Sequence, residues 1–119
     1  MRDYKKFLVW QKSHQLTLEV YKIVSSFPRE EIFALTSQMK RASSSIPMNI
    51  AEGCGRNSDK NFCRFLYISF GSANELEYQL LLSIDLNFID SEKGKNLLVQ
   101  VEEVKKMLNG LITKLNNTK

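Results

Sequence analysis

The sequence predicts an all-α protein: an up-down-up-down antiparallel four-helix bundle formed by a single domain, residues 1–119. Four segments place apolar residues at alternating spacings of three and four, and no stretch alternates with the period of two that a half-buried strand needs. Only short punctuation separates these segments, so consecutive helices must be antiparallel neighbours. Length and composition agree with this reading. A chain of 119 residues, 43% hydrophobic, with five glycines and two prolines, can bury a core without metal or disulfide staples.

In the first segment, Val9, Ser13, Leu16, Val20, Ile23 and Phe27 fall on one stripe that Trp10, Tyr21 and Val24 widen. Phe27-Pro28 ends it, because Pro28 disfavours helical geometry at the residue before it and suits the first turn of the next helix. Glu30 and Glu31 are placed to oppose the positive end of that helix. The second helix carries Ile32, Leu35, Met39, Ala42, Ile46 and Ile50 and runs to Glu52, where Gly53-Cys54-Gly55 is expected to stop it. Pro47 lies inside it and cannot bond to the Ser43 carbonyl, which predicts a kink, with Ser43, Ser44 and Ser45 available for the freed groups. Ser58 or Asn57 caps the third helix, with Asp59 in its first turn and Phe62, Phe65, Ser69, Ala73, Leu76, Leu80 and Ile84 inward. Asn87 is a left-handed stop. Asp90 caps the fourth helix, where Leu97, Val101, Val104, Leu108, Leu111 and Leu115 hold a heptad, and the tail at 116–119 is expected to fray.

Hairpin arithmetic adds register. A second turn centred near residues 56–57 sets Ala42 to Ser45 against Ile68 to Gly71, so that small residues meet and the backbones approach. Such an approach would account for Gly71 in mid-helix, which costs about 1 kcal/mol relative to Ala. A third turn centred near 88–89 sets Leu80 opposite Leu97 and Leu76 opposite Val101. The third helix also has apolar surface to spare, since Phe62, Phe65, Leu66, Tyr67, Ile68 and Phe70 wrap most of its circumference. Phe7 to Trp10 offer a second apolar face on the first helix. Self-association is the expected consequence.

Charge narrows the function classes. Seventeen Lys and Arg oppose 13 Asp and Glu, for a net +4; residues 1–64 carry 11 basic and six acidic side chains, and residues 65–119 carry six and seven. A basic N-terminal half attracts nucleic acid or another polyanion, although solvated helix faces give the same composition. His14 is the only histidine, and Cys54 and Cys63 are nine residues apart, so no metal site or cofactor is expected. Apolar runs as short as Leu80-Leu81-Leu82 cannot span a bilayer, and no secretory signal precedes Gln11, so a cytoplasmic address without membrane contact is expected. No catalytic residues are assigned. Glu75 and Glu77 point to different helix faces, Glu52 has no partner beyond arginine, and Gly53-Cys54-Gly55 ends a helix instead of opening one around a phosphate.

The segment Ser45-Ile46-Pro47-Met48-Asn49-Ile50-Ala51-Glu52-Gly53-Cys54-Gly55-Arg56, then Phe62-Cys63-Arg64-Phe65-Leu66 and Gly71-Ser72-Ala73-Asn74-Glu75-Leu76-Glu77, resembles a known family. It is similar to the bacterial four-helix-bundle proteins associated with intervening sequences in 23S ribosomal RNA genes. Val9-Trp10-Gln11-Lys12, Phe27-Pro28 and Met107 to Ile112 extend the resemblance over nearly the whole chain. That family is in turn similar to accessory proteins of diversity-generating retroelements, which are pentameric rings thought to bind nucleic acid beside a reverse transcriptase. The resemblance implies a homo-oligomer, with a pentameric ring as the form to expect. It also implies RNA or mixed RNA and DNA as ligand, a reverse transcriptase or another protein as partner, and no catalysis. The family's ribosomal label rests on gene location, and its biochemical function is mostly unknown.

The family motif maps onto Pro47, Asn49, Glu52, Gly53, Gly55, Arg56, Arg64, Gly71, Glu75 and Glu77, while Cys54 departs from the small aliphatic or polar residue usual between the two glycines. Two readings of the polar members stay open. Register puts Asn49 near Arg64 and Glu52 near Asn61, with Arg56 four residues beyond Glu52, so a hydrogen-bonded network can close one end of the hairpin. Alternatively, Arg56, Lys60 and Arg64, spaced by four, form a phosphate-contacting row with Lys40 and Arg41 nearby. On that reading Lys5, Lys6 and Lys12 complete the nucleic-acid surface, displayed many times over by a ring. A protein-protein scaffold without nucleic acid is the alternative function.

Overall fold

Four helices arise where the periodicity places them, in a computed structural model that describes residues 2–117. They are α1 (Leu8–Val24), α2 (Leu35–Cys54), α3 (Asp59–Asp85) and α4 (Ser91–Asn116), with short 3-10 turns at Tyr4–Lys6 and Arg29–Glu31. The described residues include no strand. Helices α1 and α3 each pack on both α2 and α4, and neither diagonal pair makes a close backbone approach, which is the square of an up-down-up-down bundle. The bundle measures 48 × 23 × 20 Å. Leu16, Val20, Met39, Ile46, Ile50, Phe62, Leu66, Leu76, Leu80, Val101, Val104 and Leu108 are fully buried along its axis.

Several boundaries differ from expectation. Helix α2 begins at Leu35 and not near Ile32, which is exposed. The residues after Pro28 turn tightly first, and Glu31 Oε1 then accepts a hydrogen bond from the Leu35 amide at 3.3 Å, supplying an acceptor to the new helix's first turn. At the third helix Ser58 is the cap, its hydroxyl accepting from the Asn61 amide at 3.1 Å. Asn87 takes a left-handed conformation at φ 62°. Asp90 occupies the cap position of α4 but makes no side-chain cap bond.

The inward stripes drift. In α3, Leu66 is buried where Phe65 was expected, and Phe65 and Ile84 are half-buried; in α1, Ile23 is half-buried and Tyr21 exposed. In α4 the heptad holds through Leu108, but Ile112 then takes the buried place expected of Leu111, and Leu115 is likewise half-buried. A straight helix turns every 3.6 residues, so a strict repeat of seven slides off the inner face within two or three heptads.

Glycine roles also change. Gly53 lies inside α2 and is buried: a Cβ there would stand 2.8 Å from Phe62 Cδ1, 3.0 Å from Phe65 Cβ and 3.2 Å from the Phe62 carbonyl oxygen. It is a packing glycine where α3 crosses, and Gly55, with φ −81°, is the cap. Gly71 is the reverse. It faces solvent with nothing within 4 Å of a Cβ position, so it does not mediate the expected close approach. The α2–α3 hairpin is centred one to two residues later than expected, as Ser45 Oγ lies 2.8 Å from Ser72 Oγ and Ser69 Oγ donates to the Ile46 carbonyl at 2.9 Å. The α3–α4 register is as expected: Ile84 packs so closely over Gly94 that a Cβ there would meet Ile84 Cγ1 at 2.5 Å.

Helix α2 continues through Pro47 because α1 supplies what the proline removes. Thr17 Oγ1 lies 2.8 Å from the Ser43 carbonyl and 2.8 Å from its own helix's Ser13 carbonyl, so its single proton is shared between them. The serines expected to serve here do not; Ser43 and Ser44 donate to Lys40 and Arg41 carbonyls instead. Thr17→Val should therefore cost about 1–3 kcal/mol, the penalty of leaving a buried acceptor unpaired. In a Pro47→Ala background, where residue 47 regains an N–H, that cost should shrink. A urea-denaturation double-mutant cycle showing equal costs in both backgrounds would refute the link.

Candidate nucleic-acid interface

The turn between α2 and α3, the N-terminal turn and the last turn of α4 meet at one end of the bundle. An aromatic contact and a thiol hydrogen bond assemble this end. Phe7 packs edge-on against the buried Phe62 ring at 5.8 Å, and Cys63 Sγ lies 3.6 Å from Asn116 Oδ1. Arg2 then straps the N-terminus down, pairing with the Asp59 carboxylate while its guanidinium sits 4.5 Å from the Phe62 ring centre.

Of the residues expected to form a network or a phosphate row, some are held by neighbouring side chains and others are not. Arg56 Nη2 donates to Glu52 Oε2 at 2.6 Å and its guanidinium lies 4.7 Å over the Phe65 ring, so Arg56 is engaged. Arg56 also sits in the turn before α3, outside any helix, so the spacing of four aligns only Lys60 with Arg64. Asn49 Nδ2 bonds within its own helix, to the Ser45 carbonyl and hydroxyl at 2.9 Å each, instead of reaching Arg64. The Arg64 guanidinium lies 5.9 Å from the Phe65 ring centre, and the residue is exposed.

Lys40 and Arg41 are not near this row. The observed register puts them about 15–25 Å further along the axis at 1.5 Å per residue. Lys40 sits 5.3 Å over the Tyr21 ring, and Arg41 borders a groove with Glu75 and Gln79. Lys12 pairs with Glu103 at 3.2 Å. Glu77 pairs with Lys105 at 3.4 Å, which ties α3 to α4. Pro47 and Gly53 serve packing, and Gly55 and Gly71 are exposed.

Among the described residues, Lys5, Lys6, Lys60, Arg64 and Lys114 at this end have no ion-pair partner, while Arg2 and Arg56 do. Lys114 escaped the sequence reading, although the α3–α4 register that paired Leu80 with Leu97 also places it level with Arg64. The other chemically able side chains are quiet. Burial pushes the Cys54 thiol up, with Arg2 pulling it the other way and Asp3 adding to the rise, so it stays a thiol near neutral pH. His14 is exposed and stacks face to face on Trp10 at 5.0 Å. No helix among the described residues is long and apolar enough to cross a membrane.

A crystal structure of a protein of unknown function from the S23 ribosomal protein family of Bacteroides thetaiotaomicron superposes on this fold with a TM-score of 0.80. It is 29% identical in sequence, over 89% of this chain and 96% of that one. No curated protein matches the sequence. The model of the 23S rRNA-intervening sequence protein family matches residues 5–110, which include all four helices but for the last six residues of α4. The bundle, its hairpin glycines and its basic end are thus those of a chain that belongs to the 23S rRNA-intervening sequence protein family.

Proposed function

We propose that this chain is a non-catalytic, self-assembling cytoplasmic protein that holds nucleic acid, RNA first, by phosphate contacts at the basic end of the bundle. The observation that carries this reading is the group of cations there without carboxylate partners: Lys5, Lys6, Lys60, Arg64 and Lys114. A cation already neutralised by a carboxylate releases few counterions when a phosphate arrives, whereas an unpaired one contributes fully. The contacts are sequence-independent, as expected of lysines and arginines displayed on helix surfaces.

Self-assembly is supported by the outward face of α3, where Tyr67, Ile68, Tyr78 and Leu81 are exposed along one side and Gly71 leaves a notch between them. A pentamer is the assembly the family resemblance implies, and five copies of a +4 chain carry +20. Multiplicity then compensates for weak individual contacts. A reverse transcriptase or another protein is the partner that the same resemblance offers. The same α3 face favours a second reading, a scaffold that assembles proteins and leaves nucleic acid alone.

Fluorescence anisotropy with an RNA hairpin and a duplex DNA, across about 50–200 mM salt, separates the two. The proposal expects binding that weakens steeply with salt, and no binding at the lowest salt leaves the scaffold. For assembly, light scattering behind size exclusion should give a multiple of 13.8 kDa, and a 13.8 kDa particle at micromolar concentration contradicts it.

A further inference from the structure

Arg41 and Glu75 border the groove between α2 and α3. Both are exposed, and among the described residues neither side chain has an ion pair or a hydrogen bond. The Ser45 to Ser72 contact at 2.8 Å and the Ser69 bond to the Ile46 carbonyl at 2.9 Å fix the register here. Counting outward from them sets Arg41 level with Glu75, and Met48 level with Ile68. Met48 is 64% exposed and Ile68 45%. The face therefore carries a layer of opposite charges and an apolar layer, about 10 Å apart along the axis. Between the two layers lie Ser45, Ser72 and Gly71, with open space around Gly71. At about 270 Å³ the groove is below the range of small-molecule sites, and its two signs of charge disfavour a polyanion.

We propose that this face receives a second copy of the chain standing parallel to the first, so that Arg41 pairs with the partner's Glu75 and Met48 packs on the partner's Ile68. Symmetry supplies the complementarity. A rotation axis parallel to the bundle keeps every layer at its own height, whatever the number of copies, so α2 of one copy meets α3 of the next with level groups opposed. An antiparallel two-fold axis brings α2 onto α2 instead, which sets Arg41 against Arg41 or against Met48. An apolar partner would strand both charges as the face is dried, whereas a parallel copy gives each one its opposite. The pairing rests on the self-assembly proposed above and needs no nucleic acid.

Arg41→Glu and Glu75→Arg, each followed by light scattering behind size exclusion over a series of micromolar concentrations, test the pairing. Wild type should give a multiple of 13.8 kDa. Each single reversal sets like charges against each other between copies and should weaken association about a hundredfold, with the helical circular dichroism signal unchanged. An equal mixture of the two variants should recover assembly, because each supplies the charge the other needs, and the double variant Arg41→Glu/Glu75→Arg should assemble by itself. Recovery in the double variant without recovery in the mixture would put the pair within one chain and overturn the proposal. An Arg41→Glu variant that assembles as wild type does also overturns it, while leaving self-assembly to another face. A wild-type monomer overturns both and leaves the groove to a different protein.

Discussion

Gly53→Val is expected to destabilise the fold by about 3 kcal/mol, the upper part of the range for overpacking a close-packed site. The groups a new side chain would meet cannot retreat cheaply. Phe62 is fully buried, the Phe65 Cβ and the Phe62 carbonyl belong to the helix frame, and all three stand within 3.2 Å of the Cβ position. Relief requires α2 and α3 to separate at the crossing that orders the basic end. Gly53→Ala should cost less, because helix propensity returns up to about 1 kcal/mol. Gly71→Ala serves as the control: with open space around it, alanine should stabilise the helix by several tenths to about 1 kcal/mol. Urea unfolding of the three variants checks the ranking, and a Gly53→Val as stable as wild type would show that the crossing is looser than these distances require.

Paired charge reversals give the second large effect. In Lys60→Glu/Arg64→Glu, neither side chain has a carboxylate partner to lose and both are exposed, so stability should change by no more than about 0.5 kcal/mol. RNA affinity should fall by about tenfold or more at moderate salt, and the log-log salt slope should flatten by roughly one unit per residue. Arg56→Glu should behave differently. It breaks the Glu52 pair, which is half exposed and worth no more than about 1 kcal/mol, while removing a cation that is already neutralised. If Arg56→Glu weakens RNA binding more than the double reversal does, the assignment of contacts within this end is wrong. Circular dichroism of all variants guards against loss of fold.

Much of the bundle was legible in the sequence because it depends on local patterns. The four stripes, the Ser58 cap, the left-handed Asn87 and the Leu80 to Leu97 register follow from periodicity and from a tight turn of fixed length. The α2–α3 register was read less well, since Gly55 to Ser58 could be apportioned between helix ends in more than one way. Gly53 illustrates a general ambiguity: a glycine that stops a helix and one that admits a neighbouring helix look the same until the neighbour is placed. The Thr17 to Ser43 bond spans 26 positions and joins two helices, so no local pattern announces it.

The candidate site shows the same division. Lys60 and Arg64 were legible as a row because both lie on one helix, whereas Arg56 was wrongly joined to them because a spacing of four has geometric meaning only within a continuous helix. Which cations are spent on carboxylates is a tertiary fact. Arg2 and Asp59 are 57 positions apart, and Lys12 and Glu103 come from opposite ends of the chain. Ile32 was placed inward because its segment reads as helix, while Pro28 and the Glu31 acceptor delay α2 until Leu35.

Hydrogen-exchange mass spectrometry of the protein with and without an RNA hairpin, at about 50 mM salt, tests the central claim most directly. Protection should concentrate in peptides covering Lys5 to Lys6, Lys60 to Arg64 and the last turns of α4, and should disappear at about 200 mM salt. Protection confined to other surfaces, or none while RNA is bound, would contradict a phosphate site at this end of the bundle.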